Sequence, residues 1–295
     1  MNNDWETANY EALMFSLRPY ESKLSVTRNS KLNSKDREID VRIITDLPES
    51  ELKAKLKNHA IARAFKKHNI VELKNPGEAL SINTFWKGIS YAAQYKSDGK
   101  DDSTGETGVN SKPMSDITLT FLRVAKPIAL FKYITEHGFS VEESTSFKGI
   151  YYVSGIPELL IQIVDTSELE GDEFVALRVQ KKNAKEEDII KFLQLCRKAE
   201  DPADKYMTDA VLQVSIVNNK DTYEKILKEE EEMCQALEEL LKDRIETKTR
   251  ASYEEGIAIG EKNATIKIQK QIYDNLIATM GMTPQEASKA TGYIL

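Results

Sequence analysis

Cysteine and histidine are both scarce in this 295-residue chain, which has two of the former and three of the latter. Two cysteines are too few for a zinc cluster or a disulfide framework. The chain also lacks any run of about eighteen apolar residues, and its first residues, MNNDWETANYEALMF, lack the basic and apolar regions of a signal peptide. We therefore expect a cytoplasmic protein with no membrane partner.

An excess of positive charge is also lacking, since the formal net charge is −7. This balance argues against nucleic acid as a partner, because phosphate binding requires lysine and arginine. The charge is unevenly divided, however. Residues 1–96 contain 16 Lys and Arg against 12 Asp and Glu, whereas residues 97–295 contain 25 against 36. Any phosphate-binding surface is therefore expected in the first third of the chain.

Apolar periodicity predicts alternating helices and strands over residues 1–195, a pattern typical of an α/β domain. It includes a basic amphipathic helix over residues 49–67. Residues 97–115 are rich in Gly, Ser and Asp without periodic apolar positions, which predicts a flexible, exposed loop. Residues 196–295 are predicted to form an acidic, helical C-terminal extension.

One arrangement suggests chemistry. Asp40 lies among apolar residues in EIDVRII, and Glu72, Leu73 and Lys74 follow on the next predicted strand. Because side chains alternate along a strand, Glu72 and Lys74 share a face, and Asp40 lies beside them if the two strands are neighbours. Two carboxylates, with the Leu73 carbonyl as a further ligand, suit Mg²⁺. A lysine beside the metal can orient the attacking water.

A less specific interpretation remains open, because Glu-x-Lys occurs four times in this highly charged chain. In that interpretation Asp40 and Glu72 lie on the solvated face of a sheet edge and pair with nearby basic residues. The tripeptide alone does not distinguish the two.

The segment FKKHNIVELKNPGEALSINTFWKGISYAAQY resembles the central block of the PD-(D/E)XK nuclease superfamily, and in particular of the recombination-promoting nuclease/putative transposase family. The preceding strand, REIDVRII, carries the isolated acid of that pattern. The helix that follows has its aromatic-Lys-x-x-x-Tyr-Ala pattern at Trp86, Lys87, Tyr91 and Ala92. The sequence departs from the pattern at Ile39, where the superfamily's name has proline.

This resemblance implies a restriction-endonuclease-like core, with a central mixed sheet flanked by helices. It implies a DNA endonuclease dependent on Mg²⁺, with Mn²⁺ as a substitute, in DNA recombination or mobile-element biology. Asp40 and Glu72 would bind the metal and Lys74 would be the catalytic lysine. The resemblance also implies an acid from the first helix, either Glu11 or Glu6, as an additional metal ligand.

Basic side chains around this block are the candidates for DNA contact, although such residues also make an ordinary solvated helix face. His59 and His68 flank the basic helix and are expected to lie at the surface or to cap a helix. The lysines expected to contact DNA are Lys53, Lys57, Lys66, Lys67 and Lys87.

The competing hypothesis is a catalytically inactive protein of the nuclease fold that acts in DNA binding or protein assembly through its C-terminal helices. A helix over residues 221–247 is predicted to present Met233, Leu237, Leu240 and Leu241 on one face. That face could support a homodimer. It could equally pack on the protein's own core.

Overall fold

A computed structural model gives the fold of the chain in two compact units, residues 1–229 and 230–295. The described residues are 5–31, 38–45, 47–97, 112–229, 272–274, 276–277 and 283–292. Within this part of the chain, no helix is both long enough and apolar enough to cross a membrane.

The first unit contains one mixed sheet of seven strands in the order β1-β2-β3-β4-β7-β6-β5. The pairs β3–β4 and β4–β7 are parallel, and the other four are antiparallel. The strands are β1 (Leu24–Lys31), β2 (Glu38–Thr45), β3 (His68–Leu73), β4 (Ile117–Arg123), β5 (Ser140–Glu143), β6 (Ile150–Ser154) and β7 (Leu160–Asp165).

Helices accompany this sheet, which confirms the predicted α/β class. In the first unit they are α1 (Trp5–Leu17), α2 (Glu49–Leu56), α3 (Ile82–Ser97), α4 (Ile128–Glu136), α5 (Val175–Arg178), α6 (Glu186–Lys198), α7 (Pro202–Asn218) and α8 (Lys220–Glu229). In the second unit α9 (Pro284–Thr291) begins at a capping box formed by Thr283 and Glu286 and ends at Gly292.

The central strands are buried because helices cover the sheet. One face carries Ile70, Leu119 and Phe121, which form a core cluster with apolar residues of α3 and α4. The alternate residues point to the opposite face, where the Thr118 hydroxyl donates to the Ala64 carbonyl oxygen over 3.0 Å and α1 contacts β3. Burial on both faces explains why β3 and β4 lack the polar alternation of a half-exposed strand.

The predicted helix over residues 49–67 is wrong in its second half, since α2 ends at Leu56. His59 interrupts it. Its ring is 3% exposed, lies 2.9 Å from the Ser16 carbonyl oxygen, and accepts the Ala62 N–H over 3.0 Å. The expectation that the two histidines lie at the surface or cap a helix is wrong for His68, which is fully buried beside Tyr95, whereas His59 binds the Ala62 N–H from a buried position.

The boundary of the first unit lies after Glu229 rather than after residue 195. The reason is tertiary packing, because α7 packs along α1 and α8 contacts α6 and α7. The side chain of Ile226 is buried in this unit. The predicted dimer stripe, Met233 to Leu241, lies outside the described residues.

Only the ends of the predicted loop at 97–115 are described. Ser97 is the last residue of α3, and residues 98–111 lie outside the described part. Lys112 is buried, with its Nζ 4.0 Å from the centroid of the Tyr95 ring, and a short 3₁₀ turn covers Met114–Asp116. The exposed loop predicted from composition therefore does not extend to Lys112.

Close packing of α3 on β4 depends on Gly88. A Cβ at this position would lie 2.4 Å from Cζ of the fully buried Phe121 ring. We expect Gly88→Ala to destabilise the protein by about 1–3 kcal/mol, because the free-energy cost of overpacking against Phe121 exceeds the stabilisation that alanine gives a helix relative to glycine. Urea denaturation measures this difference. Ala93→Ser, on the exposed face of α3, is the control and should stay within about 0.5 kcal/mol of the parent. A stabilised Gly88→Ala protein would contradict this packing.

Candidate active site

Two acidic side chains meet where β2 begins and β3 ends. The antiparallel register pairs Val41 with Val71 and Arg42 with Ile70. One residue further, the same register sets Asp40 opposite Glu72. The strands are therefore neighbours, as the magnesium hypothesis requires. Both are interior strands, flanked by β1 and β4, so the two carboxyl groups do not lie on a solvated sheet edge.

Asp40 is held by the backbone of the neighbouring strand. Its Oδ2 accepts the Leu73 N–H over 2.8 Å. Burial raises the pKa of Asp40, while the Leu73 hydrogen bond and the charge of Lys74 oppose that rise. The N–H and C=O of one strand residue face the same neighbouring strand. The Leu73 carbonyl thus also faces β2 and the side of Asp40, as the predicted ligand set needs.

The carboxyl group of Glu72 is buried and only partly paired. The residue is 3% exposed, and its Oε1 is buried without a hydrogen-bond partner. Its Oε2 lies 3.7 Å from Nζ of Lys74, whose side chain is 14% exposed. Burial, followed by the charge of Asp40, raises the pKa of Glu72 to about 7, although Lys74 acts in the opposite direction. An unsatisfied buried carboxylate oxygen is costly unless another group binds it.

Lys87 approaches the same carboxyls from α3. Its Nζ lies 5.3 Å from the centroid of the Tyr91 ring. A hydrogen bond with the Tyr91 side chain raises the pKa of Lys87, and the charges of Glu72 and Asp40 act in the same direction. The structure therefore brings together Asp40, Glu72, Lys74 and Lys87.

The acids of the first helix are placed differently from each other. Glu11 is 7% exposed, and burial raises its pKa against the charge of Arg28. Glu6 lies 3.5 Å from Nη2 of Arg28, and its charge also raises the pKa of Asp40. The charge of Glu6 thus acts on Asp40. The assignment of either as a ligand stays a prediction.

Four predicted DNA-binding lysines lie towards the other end of the sheet. Thr45, the last residue of β2, donates its N–H to the Lys67 carbonyl and its hydroxyl to the Lys66 carbonyl. Five residues of strand, about 16 Å, separate Thr45 from Asp40. Lys53 and Lys57 are exposed in the connection between Thr45 and Lys66. The structure does not bring these four lysines to the carboxyls, and their DNA contact stays a prediction.

Two charged residues at the ends of β4 and β7 were not identified as site candidates from the sequence. Arg123 ends β4 and pairs in register with Asp165, which ends β7. The Lys74 N–H donates to the Leu122 carbonyl over 2.8 Å, which continues the parallel register and sets Lys74 beside Arg123. The sequences ITLTFLR and LIQIVD each end in a charged residue directly after a run of apolar strand residues. This pattern was the signal from which the two residues could have been identified.

The site offers two carboxylates and a carbonyl oxygen, which are ligand types that Mg²⁺ accepts, with water completing the octahedron. The partnerless Oε1 of Glu72 fits such an ion. No group of three or more His, Cys, Asp or Glu side chains suited to hold a metal occurs among the described residues. An ion here would accordingly keep several waters, as Mg²⁺ commonly does.

No family model matches the chain, and no curated protein or solved structure matches it either. The resemblance to PD-(D/E)XK nucleases therefore depends on the motif residues themselves.

The raised pKa of Glu72 predicts how stability varies with pH. Because the value of about 7 in the folded protein exceeds the ordinary 4.5, the folded state binds more protons between these values. The free energy of unfolding should then fall as pH rises through this range and level off above it. Glu72→Gln removes the buried charge, so we expect it to stabilise the protein on the order of 1–3 kcal/mol at pH 8 and little at pH 4.5.

Denaturation at the two pH values measures this effect, and exposed Glu136→Gln is the control, with no comparable dependence on pH. A Glu72→Gln protein less stable than the parent at pH 8 would show that the ionised carboxylate stabilises the fold.

Proposed function

We propose that this protein is a Mg²⁺-dependent DNA endonuclease of the PD-(D/E)XK type, acting in DNA recombination or mobile-element biology. The observation that carries the proposal is the pairing of two largely buried carboxyls on neighbouring interior strands, with a lysine Nζ 3.7 Å from one of them. The partnerless Oε1 of Glu72 supports cation binding at this point.

The order of elements supports the same proposal. From α1 to β4 the α-helices and strands are α1, β1, β2, α2, β3, α3 and β4, in which β1, β2 and β3 pair antiparallel and β3 and β4 pair parallel. The paired acids lie at the sheet edge where the parallel strands β3 and β4 have their carboxyl ends, Glu72 on β3 and Asp40 on the adjacent β2. In open α/β sheets this edge is where ligands commonly bind.

A bound Mg²⁺ would supply Lewis-acid polarisation of the scissile phosphate and a water of lowered pKa. Asp40 and Glu72 would hold it, with Asp40 oriented by its hydrogen bond from Leu73. Lys74 would position the attacking water and offset the negative charge that develops on the phosphoryl oxygens. Lys87, whose charge acts on both carboxyls, would limit the repulsion between them and a DNA phosphate.

Cleavage of supercoiled plasmid DNA in Mg²⁺ tests whether Asp40 and Lys74 are active-site residues. We expect Asp40→Asn and Lys74→Met each to lower the cleavage rate by ~10²-fold or more, because each removes a group that acts on the reacting atoms. Asparagine can still accept the Leu73 N–H, so the fold should persist. Asp116→Asn alters a carboxylate at the other end of β4 and should cleave like the parent. Full activity in both site variants would show that cleavage occurs elsewhere.

Metal binding should depend on pH in the direction set by Glu72. Magnesium requires ionised ligands, and the pKa of Glu72 is about 7. We therefore expect Mg²⁺ to raise the Tm more at pH 8 than at pH 6, and to have no such effect on Glu72→Gln. Thermal melts with and without Mg²⁺ measure both. A Tm increase in Glu72→Gln equal to that of the parent would place the ion at another site.

A further inference from the structure

Arg123 differs from the other basic side chains at the carboxyl edge of the sheet. Among those that the structure describes, Lys74 pairs with Glu72, Lys87 bonds to Tyr91, and Lys126 lies 3.9 Å from Glu143. Arg123 is half-buried, forms no ion pair with a described side chain, and has a buried Nε without a hydrogen-bond partner.

The charge of Asp165, its neighbour in register, acts on Arg123 and opposes the lowering of the Arg123 pKa by burial, but Asp165 makes its hydrogen bonds elsewhere. One carboxylate oxygen of Asp165 accepts both the N–H of Ser167, over 3.0 Å, and its hydroxyl, over 2.7 Å. The backbone N–H of Lys126 also donates to this carboxylate. Asp165 therefore closes the turn after β7, and it forms no salt bridge with the guanidinium of Arg123.

A half-buried guanidinium that forms no salt bridge and leaves its Nε without a hydrogen-bond partner is unfavourable, and an anion that binds it recovers the lost interactions. The planar fork of arginine suits the oxygens of phosphate, which it can bind through two parallel hydrogen bonds. An unsatisfied donor that the fold retains in this position therefore indicates an anion site.

The position of Arg123 identifies which anion. Arg123 lies on the same face of β4 as Phe121, which is paired in register with Glu72. It is thus one strand, about 5 Å, from Lys74, on the side of the carboxyl pair away from β2. A phosphate at Arg123 would be a neighbour of the phosphate at Asp40 and Glu72.

We infer that Arg123 binds a backbone phosphate of the DNA next to the scissile one, so that the cleaved strand runs across the carboxyl edge of the sheet from β2 towards β4. The inference rests on the proposed function for the position of the scissile phosphate. It assigns DNA binding to this edge, and does not require the lysines near Thr45.

The test measures DNA affinity and stability together in the full-length protein. Fluorescence anisotropy with a labelled 30-base-pair duplex, in Ca²⁺ so that DNA stays intact, gives the affinity. Arg123→Met keeps the apolar stem and removes the charge. We expect about tenfold weaker binding, a salt dependence shallower by about one unit of slope, and an unchanged or higher Tm. Arg123→Lys should fall between Arg123→Met and the parent.

Arg63→Ala is the matched control, since Arg63 is an exposed arginine near the amino ends of β4 and β7. The DNA affinity of this variant should stay within twofold of the parent's. Binding of Arg123→Met within twofold of the parent overturns the inference. So does a lower Tm in Arg123→Met, because it would show that the guanidinium stabilises the fold.

Cleavage assays separate this inference from the proposed function. In Mg²⁺, Arg123→Met should raise KM more than it lowers kcat, because a contact to a neighbouring phosphate contributes mainly to binding. A parent protein that binds DNA through Arg123 but does not cut it would overturn the nuclease proposal and support the phosphate site. A parent that cuts DNA, with Arg123→Met unchanged in KM and kcat, would overturn the phosphate site alone.

Discussion

The antiparallel pairing of β2 with β3 inside the sheet is the constraint on which the candidate site depends. It places Asp40 and Glu72 side by side. Because β1 and β4 flank these two strands, neither residue lies on an edge strand of the sheet. Burial then follows from the helices on the faces, and the raised pKa of Glu72 follows from burial. Lys74 and the Leu73 N–H partly offset the cost of burying the two carboxyl groups, while Oε1 of Glu72 remains without a hydrogen-bond partner.

The parallel half of the sheet extends the same edge. Because β3, β4 and β7 run in one direction, the residues that end them, together with Lys74, form a row across three strands. Their charges are not equivalent. Lys74 is paired with a carboxylate and Asp165 is used in a turn, whereas Arg123 retains free hydrogen-bonding capacity. The net charge of −7 thus says little about this edge, where cations stand beside the acids.

Much of the local structure could be predicted. The apolar residues around Asp40 indicated β2, and the next predicted strand, which carries Glu72 and Leu73, is β3. The predicted long helix over residues 49–67 was wrong because His59 bonds to the Ser16 carbonyl of a distant segment as well as to the nearby Ala62 N–H, and apolar periodicity does not report such a contact. The boundary at residue 195 failed for a similar reason, since α7 looks like part of an acidic extension but packs on α1.

The sequence by itself determined which residue types occupy the ends of the strands: an isolated aspartate, a Glu-Leu-Lys run and, unnoticed, an arginine after a buried strand. Only the tertiary structure determined that the first two meet, that Glu72 is buried, that the charge of Glu6 acts on Asp40, and that Arg123 lies next to Lys74. The physical reason is that side-chain alternation is local to one strand, whereas strand pairing and desolvation depend on residues far apart in the chain.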